Sequence, residues 1–226
     1  MPTMSLRRLL PSLLALFNGG VFADECASLP PPSVTVKRLD ADPALRQDYG
    51  YRQLNALGAD RNRPGMQVLG LTRGKAIVRY ETRMPGFADR AGRWECTSPQ
   101  ITLHYGFNPL TVYVAREFAP GSCAYQEIHA HEMRHVDTYR KHAASIDQEI
   151  AATLKERFLT GTPWRGPSGQ TQQRLAQEME TRWIPYITRL LNQVEADQAL
   201  IDTPEEYEKV AASCNGEIRR VLGSRR

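Results

Sequence analysis

The stretch from Cys123 to Leu159 contains neither glycine nor proline, and it constrains the fold more than any other part of this chain. Apolar residues recur in it at helical spacing, which predicts α-helix. A single helix of this length would run about 55 Å at 1.5 Å per residue, which is long for one domain. Ser145-Ile146-Asp147-Gln148 fits a capping box, so the sequence predicts a second helix that begins there.

The same stretch contains His131-Glu132-Met133-Arg134-His135, an HExxH motif in a helical context. Residues four apart on a helix are neighbours, so both imidazoles can reach one ion. Glu132 lies beside them and can take a proton from a zinc-activated water. The spacing therefore predicts a Zn²⁺ site in which His131 and His135 are metal ligands and Glu132 is the catalytic general base.

The position of the motif on the helix supports a metal. At about 100° per residue, Glu132 falls within an inward-facing apolar stripe, and His131 and His135 lie at its edge. The stripe consists of Ile128, Val136, Tyr139, Ala143, Ile146 and Ile150. Ionisable groups on a buried face need partners, and a shared metal ion satisfies all three. The alternative is a chance motif in which Glu132 pairs with Arg134 or Arg140 on the helix surface.

The sequence leaves the third ligand open. His142 lies about 10 Å along a straight helix from His135, and His129 points to the far side. A later helical segment that folds back about a linker at Gly161–Gly169 would bring the region of Asp202 and Glu206 opposite the motif. Both are therefore candidates, with Glu206 alternatively a helix-capping residue.

The remaining helices follow from capping and breaker residues. Residues from Thr171 to about Gln198 are predicted to be helical, with a kink or break at Pro185. Thr203-Pro204-Glu205-Glu206 is a capping box that starts a last helix, and Gly216 is predicted to close it.

The first half is predicted to be rich in strands. A short helix is predicted from Asp42-Pro43 to about Gly58, followed by a loop at Asn62–Gly65. Gly106-Phe107-Asn108-Pro109 is typical of a hairpin connection. The predicted strands are Ser33–Val36, Met66–Thr72, Ala76–Thr82, Ile101–Tyr105 and Leu110–Ala115. The expected fold is α+β: a small, mainly antiparallel sheet at 24–118 and a helical half at 119–226 that carries the motif, within one domain.

The N-terminus has the pattern of a signal peptide over residues 1–23. Arg7 and Arg8 precede the apolar run Leu9–Phe17, and Val21-Phe22-Ala23 supplies a cleavage site. The apolar run is shorter than a membrane span, so a periplasmic or secreted protein without stable membrane insertion is expected. The formal net charge of +4 falls by two when this segment is removed, and no basic stripe argues for nucleic acid.

The four cysteines, Cys26, Cys96, Cys123 and Cys214, follow the predicted signal. An exported chain meets oxidising conditions, so two disulfides are expected, with three possible connectivities. Pairing of Cys96 with Cys123 is favoured here, because it would tie the strand region to the start of the long helix.

These motifs resemble zincins, and more narrowly a bacterial family of predicted secreted zinc-dependent proteases, a domain of unknown function. The likeness covers the signal, Gly74–Thr82, Cys96–Leu103, the HExxH motif and, loosely, Gln198–Tyr207. That family carries a further histidine in its tail, where this sequence has Glu206 or Tyr207. The resemblance implies a cleft lined by an edge strand that binds an extended peptide, with the hairpin at Ile101–Ala115 the nearest candidate.

The resulting expectation is an exported zinc-dependent metallohydrolase, a peptidase that acts on a peptide or protein substrate. The alternative is a non-catalytic periplasmic protein with a structural metal site or a partner-binding helical half. A closed set of four ligands would favour the alternative, and an open coordination position would favour the enzyme.

Overall fold

The computed structural model of this protein describes residues 25–58 and 67–223. The predicted signal peptide at 1–23 and the predicted loop at Asn62–Gly65 lie outside the described residues. Within the described ranges, no helix combines the length and the apolar character that a bilayer crossing requires.

A long central strand, β6 (Gln100–Val114), organises the larger, four-stranded sheet. β3 (Gly70–Arg83) pairs antiparallel with β6 along its full length. β1 (Ser33–Leu39) and β2 (Ala44–Arg46) therefore share the other side of β6, and both run parallel to it. The inward residues Ile101, Leu103 and Tyr105 are almost completely buried, as their period-two alternation requires.

The smaller sheet has three antiparallel strands in the order β4 (Gly86–Ala88), β5 (Trp94–Thr97) and β7 (Trp164–Pro167). β7 lies within the segment Gly161–Gly169 that was predicted to be a linker, so that prediction is wrong in part. The two sheets and the helical half together confirm the α+β class. Among the described residues, three of the five strand pairings are antiparallel.

The predicted hairpin at Gly106–Pro109 is wrong, since β6 runs straight through these residues. Opposite them the register of β3 shifts between Gly74 and Ala76, which marks a β-bulge. Gly106 and Pro109, which predicted a turn, thus lie at a local irregularity within two paired strands. For the same reason the strands predicted at Met66–Thr72 and Ala76–Thr82 are one strand in the described residues, beginning at Gly70.

The first helix is shorter than predicted. α1 spans Tyr51–Leu57, and Ala44–Arg46, predicted to be helical, pairs with β6 instead. The N-cap of α1 is Gly50, whose backbone N–H donates to the side chain of Gln53. The helix start predicted at Asp42-Pro43 is therefore too early in the chain.

The helical half begins with α2 (Cys123–Ser145), whose N-cap Ser122 accepts a hydrogen bond from the backbone of Tyr125. α3 (Asp147–Phe158) follows after the predicted break. The predicted capping box does not form there, because the Ser145 hydroxyl donates to the backbone carbonyl of His142.

Four more α-helical segments and one π-helical turn complete the chain to Ala212. The π-helical turn, Met179–Trp183, lies immediately before the predicted kink at Pro185. The segments are α4 (Thr171–Glu178), α5 (Ile184–Asn192), α6 (Val194–Ala199) and α7 (Pro204–Ala212). The predicted cap of α7 is confirmed, since the Thr203 side chain accepts from the backbone N–H of Glu206. Gly216 ends a 3₁₀ turn instead, and α8 (Glu217–Gly223) follows it.

Small residues on β3 let α2 lie close to the sheet. A Cβ on Gly74 would stand 3.0 Å from the ring of Tyr139, and one on Gly70 would stand 2.5 Å from Glu132 Oε1. The third position on that face of the strand is Thr72, whose hydroxyl reaches Glu132. The predicted inward stripe of α2 and the start of α3 is confirmed: Ile128, Val136, Tyr139, Ala143, Ile146 and Ile150 are all buried.

The disulfides join Cys26 to Cys96 and Cys123 to Cys214, so the predicted pairing of Cys96 with Cys123 is wrong. The two cysteines of each pair are 70 and 91 residues apart in the sequence. Their proximity depends on the tertiary fold. Cys26–Cys96 ties the segment before β1 to the smaller sheet. Cys123–Cys214 ties the start of α2 to the turn before α8.

Candidate metal centre

The HExxH turn lies in the middle of α2 and faces the interior. Glu132 and His135 are buried, and His131 is half-buried at the edge of the stripe. The Nε2 atoms of His131 and His135 are 3.2 Å apart, so the two imidazoles converge on one point as their spacing predicted.

Asp202, in the turn between α6 and α7, completes a group of three. Its Oδ1 lies 3.2 Å from His131 Nε2 and 3.3 Å from His135 Nε2. The three atoms form a nearly equilateral triangle, a group able to hold a metal ion. Of the two predicted candidates for third ligand, Asp202 belongs to this group and Glu206 does not.

Gln198 fixes the orientation of His135, and the sequence had not identified it. The His135 Nδ1–H donates to Gln198 Oε1 at 2.5 Å, while Gln198 Nε2 donates to the His135 backbone carbonyl at 3.1 Å. A carbonyl only accepts, so this second bond sets the orientation of the amide, and the proton of His135 must lie on Nδ1. Nε2 is left with its lone pair directed at Asp202 and His131, as a ligand nitrogen requires.

Glu206 lies behind His131 and not at the ligand triangle. Its carboxylate accepts a hydrogen bond from Arg134. Burial alone would raise the pKa of Glu206, but this bond together with the charges of Arg134 and Lys209 lowers it. Arg134 also donates to His131 Nδ1 at 2.7 Å, which puts the His131 proton on Nε2. A neutral imidazole that binds a metal through Nε2 carries its proton on Nδ1, so metal binding there requires the Arg134 contact to break. Glu206 Oε1 lies 3.6 Å from Nδ1.

Glu132 is held against β3 by two features. Its Oε2 accepts from the Thr72 hydroxyl at 2.8 Å, and the missing side chain at Gly70 leaves room for the rest of the carboxylate. Burial raises the pKa of Glu132, although the neighbouring His135 and His131 oppose the rise. The sequence had not identified Thr72 or Gly70, because neither carries a motif of its own.

The electrostatics of the triangle favour a positive charge. Burial disfavours the charged forms of His135 and Asp202. A hydrogen bond from protonated His135 to Asp202 nevertheless raises the pKa of His135, and hydrogen bonds from His131 and His135 lower the pKa of Asp202. A proton is stabilised at this point by the same negative field that would stabilise a cation.

The competing interpretations of the motif do not fit the geometry. Arg134 pairs with Glu206, and Arg140 reaches Asp42, so neither neutralises Glu132 on a helix surface. The other two histidines of α2 point away from the triangle. His129 stacks on Tyr125, and His142 contacts Asp197 and the backbone of Leu190.

Two cavities adjoin the triangle. A small one of about 30 Å³ lies between Glu132, His135, Asp202, Gly70 and Tyr207, among others, and a space of this size can hold a water molecule. A larger one of about 230 Å³ opens beside His131 and Glu132. The group of ligand atoms therefore borders accessible space.

The segment predicted to be the edge strand that lines the cleft is not at an edge of the sheet. Ile101–Ala115 belongs mostly to the central strand β6 and has neighbours on both sides. The strand beside the triangle is β3, and no other strand of the described residues pairs with its outer side.

No known protein family, curated protein or solved structure matches this chain. The resemblance to secreted zinc-dependent proteases therefore stays a prediction. The fold and the geometry define an α+β protein with two disulfides and a His₂Asp group that could hold a metal ion. The disulfides are compatible with a location outside the cytoplasm.

Proposed function

We propose that this protein is an exported zinc-dependent peptidase with His131, His135 and Asp202 as metal ligands and Glu132 as general base. The triangle formed by the two Nε2 atoms and Asp202 Oδ1 carries the proposal. Bonds of about 2.0 to 2.1 Å at tetrahedral angles separate zinc ligands by about 3.3 Å. The sides of the triangle, 3.2, 3.2 and 3.3 Å, fit that spacing.

The set of ligands supports catalysis over a structural role. Structural zinc sites close with four protein ligands, whereas catalytic sites keep one position open. Within residues 25–58 and 67–223, no fourth histidine, cysteine or carboxylate joins the three. The cavities beside the triangle give substrate and water access to that side.

Zinc, when bound, acts as a Lewis acid that polarises a carbonyl and makes water nucleophilic near neutral pH. Glu132 borders the water-sized cavity beside the triangle and is held there by Thr72. Its carboxylate takes the proton of the attacking water and returns it to the leaving nitrogen. Among the described residues, no strand pairs with the outer side of β3 beside the site, and such an edge suits addition of an extended peptide.

Three proteins test this function: wild type, Glu132→Gln and His135→Ala. We expect Glu132→Gln to retain zinc and to lose turnover by a factor of about 10² to 10⁴. We expect His135→Ala to lose both. Zinc content is measured by elemental analysis, and cleavage of an unfolded protein is followed by mass spectrometry.

His129→Ala serves as the control, because this histidine is on the same helix but stacks on Tyr125 away from the triangle. It should keep both zinc and activity. Wild-type protein that binds zinc stoichiometrically and cleaves nothing would favour the structural role. Equal activity in all four proteins would refute the assignment of the site.

A further inference from the structure

The larger cavity beside the triangle has a mainly apolar wall. Its volume is about 230 Å³, and His131 and Glu132 line one end of it. The wall comes from three separate parts of the chain: the segment before β3, helix α2, and helices α7 and α8. It includes Val68, Leu69, Ile128, Ala211, Ile218 and Leu222.

The size of this cavity suits one large apolar side chain. A cavity of about 150 Å³ lined by aliphatic and aromatic residues is enough to bind benzene. A phenylalanine or leucine side chain therefore fits with its backbone at the end near Glu132. Transfer of such a side chain from water contributes about 1.5 to 3 kcal/mol.

The charges around the cavity disfavour an acidic side chain. Its lining includes the carboxylates of Glu132 and Glu208, and no lysine or arginine of the described residues lines it. An aspartate or glutamate entering here would leave water beside these carboxylates, with no lysine or arginine of the lining to pair with it, which is costly.

Contacts outside the cavity hold two parts of its wall. Val68 is held by Asn55, whose side chain bonds to both the backbone N–H and the carbonyl of Val68, at 3.1 and 3.2 Å. The α8 side is held by the Cys123–Cys214 disulfide and by Glu217, which accepts from the backbone N–H of Ala124. A preformed cavity next to reactive groups is typical of a binding subsite.

We infer that this cavity is a specificity subsite for a large apolar side chain, phenylalanine or leucine, on a residue flanking the scissile bond. The inference rests on the proposed function, because it takes the His131–Glu132 end of the cavity as the place of reaction. It adds a substrate class that the metal ligands alone do not define.

The test uses peptides that differ only at one position, with Phe, Leu, Ala or Asp, and compares wild type with Ala211→Leu. Ala211 lines the cavity, so the larger side chain fills part of it. We expect wild type to cleave the Phe and Leu peptides with a kcat/KM at least about 10-fold above that for Ala, and the Asp peptide least. Ala211→Leu should lower kcat/KM for Phe by about 10-fold and spare the Ala peptide.

Ala212→Leu is the matched control, because Ala212 is exposed on the same helix and is not part of the cavity lining. It should leave the preference unchanged. Zinc content and melting temperature of each variant separate a filled cavity from a damaged fold.

Binding of the same peptides to Glu132→Gln, measured by calorimetry, separates the subsite from the chemistry. If wild type cleaves nothing but Glu132→Gln binds the Phe peptide about 10-fold tighter than the Ala peptide, and Ala211→Leu removes that preference, the subsite stands and the peptidase falls. If wild type cleaves all four peptides alike, the peptidase stands and the subsite is refuted. Absence of both cleavage and preferential binding refutes the subsite as well.

Discussion

The two parts of the candidate metal centre differ in how firmly they are held. The turn from His131 to His135 lies inside a 23-residue helix that packs on β3. Asp202 lies in a short turn between two helices, and 31% of its side chain is exposed. Its position follows from neighbours, the Gln198 contacts on one side and the Thr203 cap on the other. The turn that carries Asp202 is therefore the less firmly held part of the candidate centre.

The largest expected effect comes from removing Asp202, the proposed ligand from that region. Asp202→Ala should weaken zinc binding by about 100-fold or more, since loss of even an outer-shell partner costs 10- to 100-fold. Competition with a chromogenic chelator measures the affinity. Asp197→Ala, an exposed carboxylate nearby that contacts His142, is the control. Unchanged affinity in Asp202→Ala would show that the turn contributes no ligand.

Gly70→Ala tests the firmly held part. The added methyl group would stand 2.5 Å from Glu132 Oε1, so the carboxylate of the proposed general base must move. A displacement of about 1 Å at such a group costs on the order of 100-fold in rate, and kcat should fall accordingly while zinc is retained. Gly223→Ala adds a methyl with nothing within 4 Å and should leave kcat unchanged. Normal turnover in Gly70→Ala would mean that the carboxylate position is not critical.

Gln198→Ala tests the link between the two parts. Without Gln198 the imidazole of His135 loses its Nδ1 partner, and zinc affinity should fall by about 10- to 100-fold. Gln198→Glu keeps an acceptor for the Nδ1–H and should restore most of the affinity, a rescue that packing alone would not produce. Gln193→Ala, an exposed position before α6, serves as the control. If Gln198→Ala and wild type bind zinc equally, Gln198 has no positioning role.

Removal of either disulfide is expected to have the smallest effect on turnover among these changes. Replacing either pair by serines should lower the free energy of unfolding by about 2 to 5 kcal/mol, measured by urea denaturation. Only loss of Cys123–Cys214 should also lower turnover under conditions in which the protein is folded, because that disulfide holds the wall of the larger cavity beside the site. We expect a decrease of less than about 10-fold. Equal turnover in the two double variants would show that this wall needs no covalent tie.

Sequence reasoning recovered the parts of this molecule that local periodicity determines. The inward stripe of α2, its break near Ser145 and the Thr203 cap of α7 all depend on residues within a few turns of one another. Gly106 and Pro109 were misread because the same residue types mark both a turn and a bulge, and only the pairing partner distinguishes them. The disulfide pairing and the contacts of Gln198, Thr72 and Gly70 depend on tertiary packing, so no local pattern reveals them.

The Cys123–Cys214 bond also sets an order of events in the life of the chain. Its two sulfurs come from the beginning of α2 and from the turn before α8. The wall of the larger cavity is therefore covalently linked only after the chain has folded and met an oxidant. In a reducing compartment this disulfide does not form, and that side of the larger cavity has no covalent link. For an exported peptidase, such a bond would couple full maturation to departure from the cytoplasm, where stray proteolysis would harm the cell.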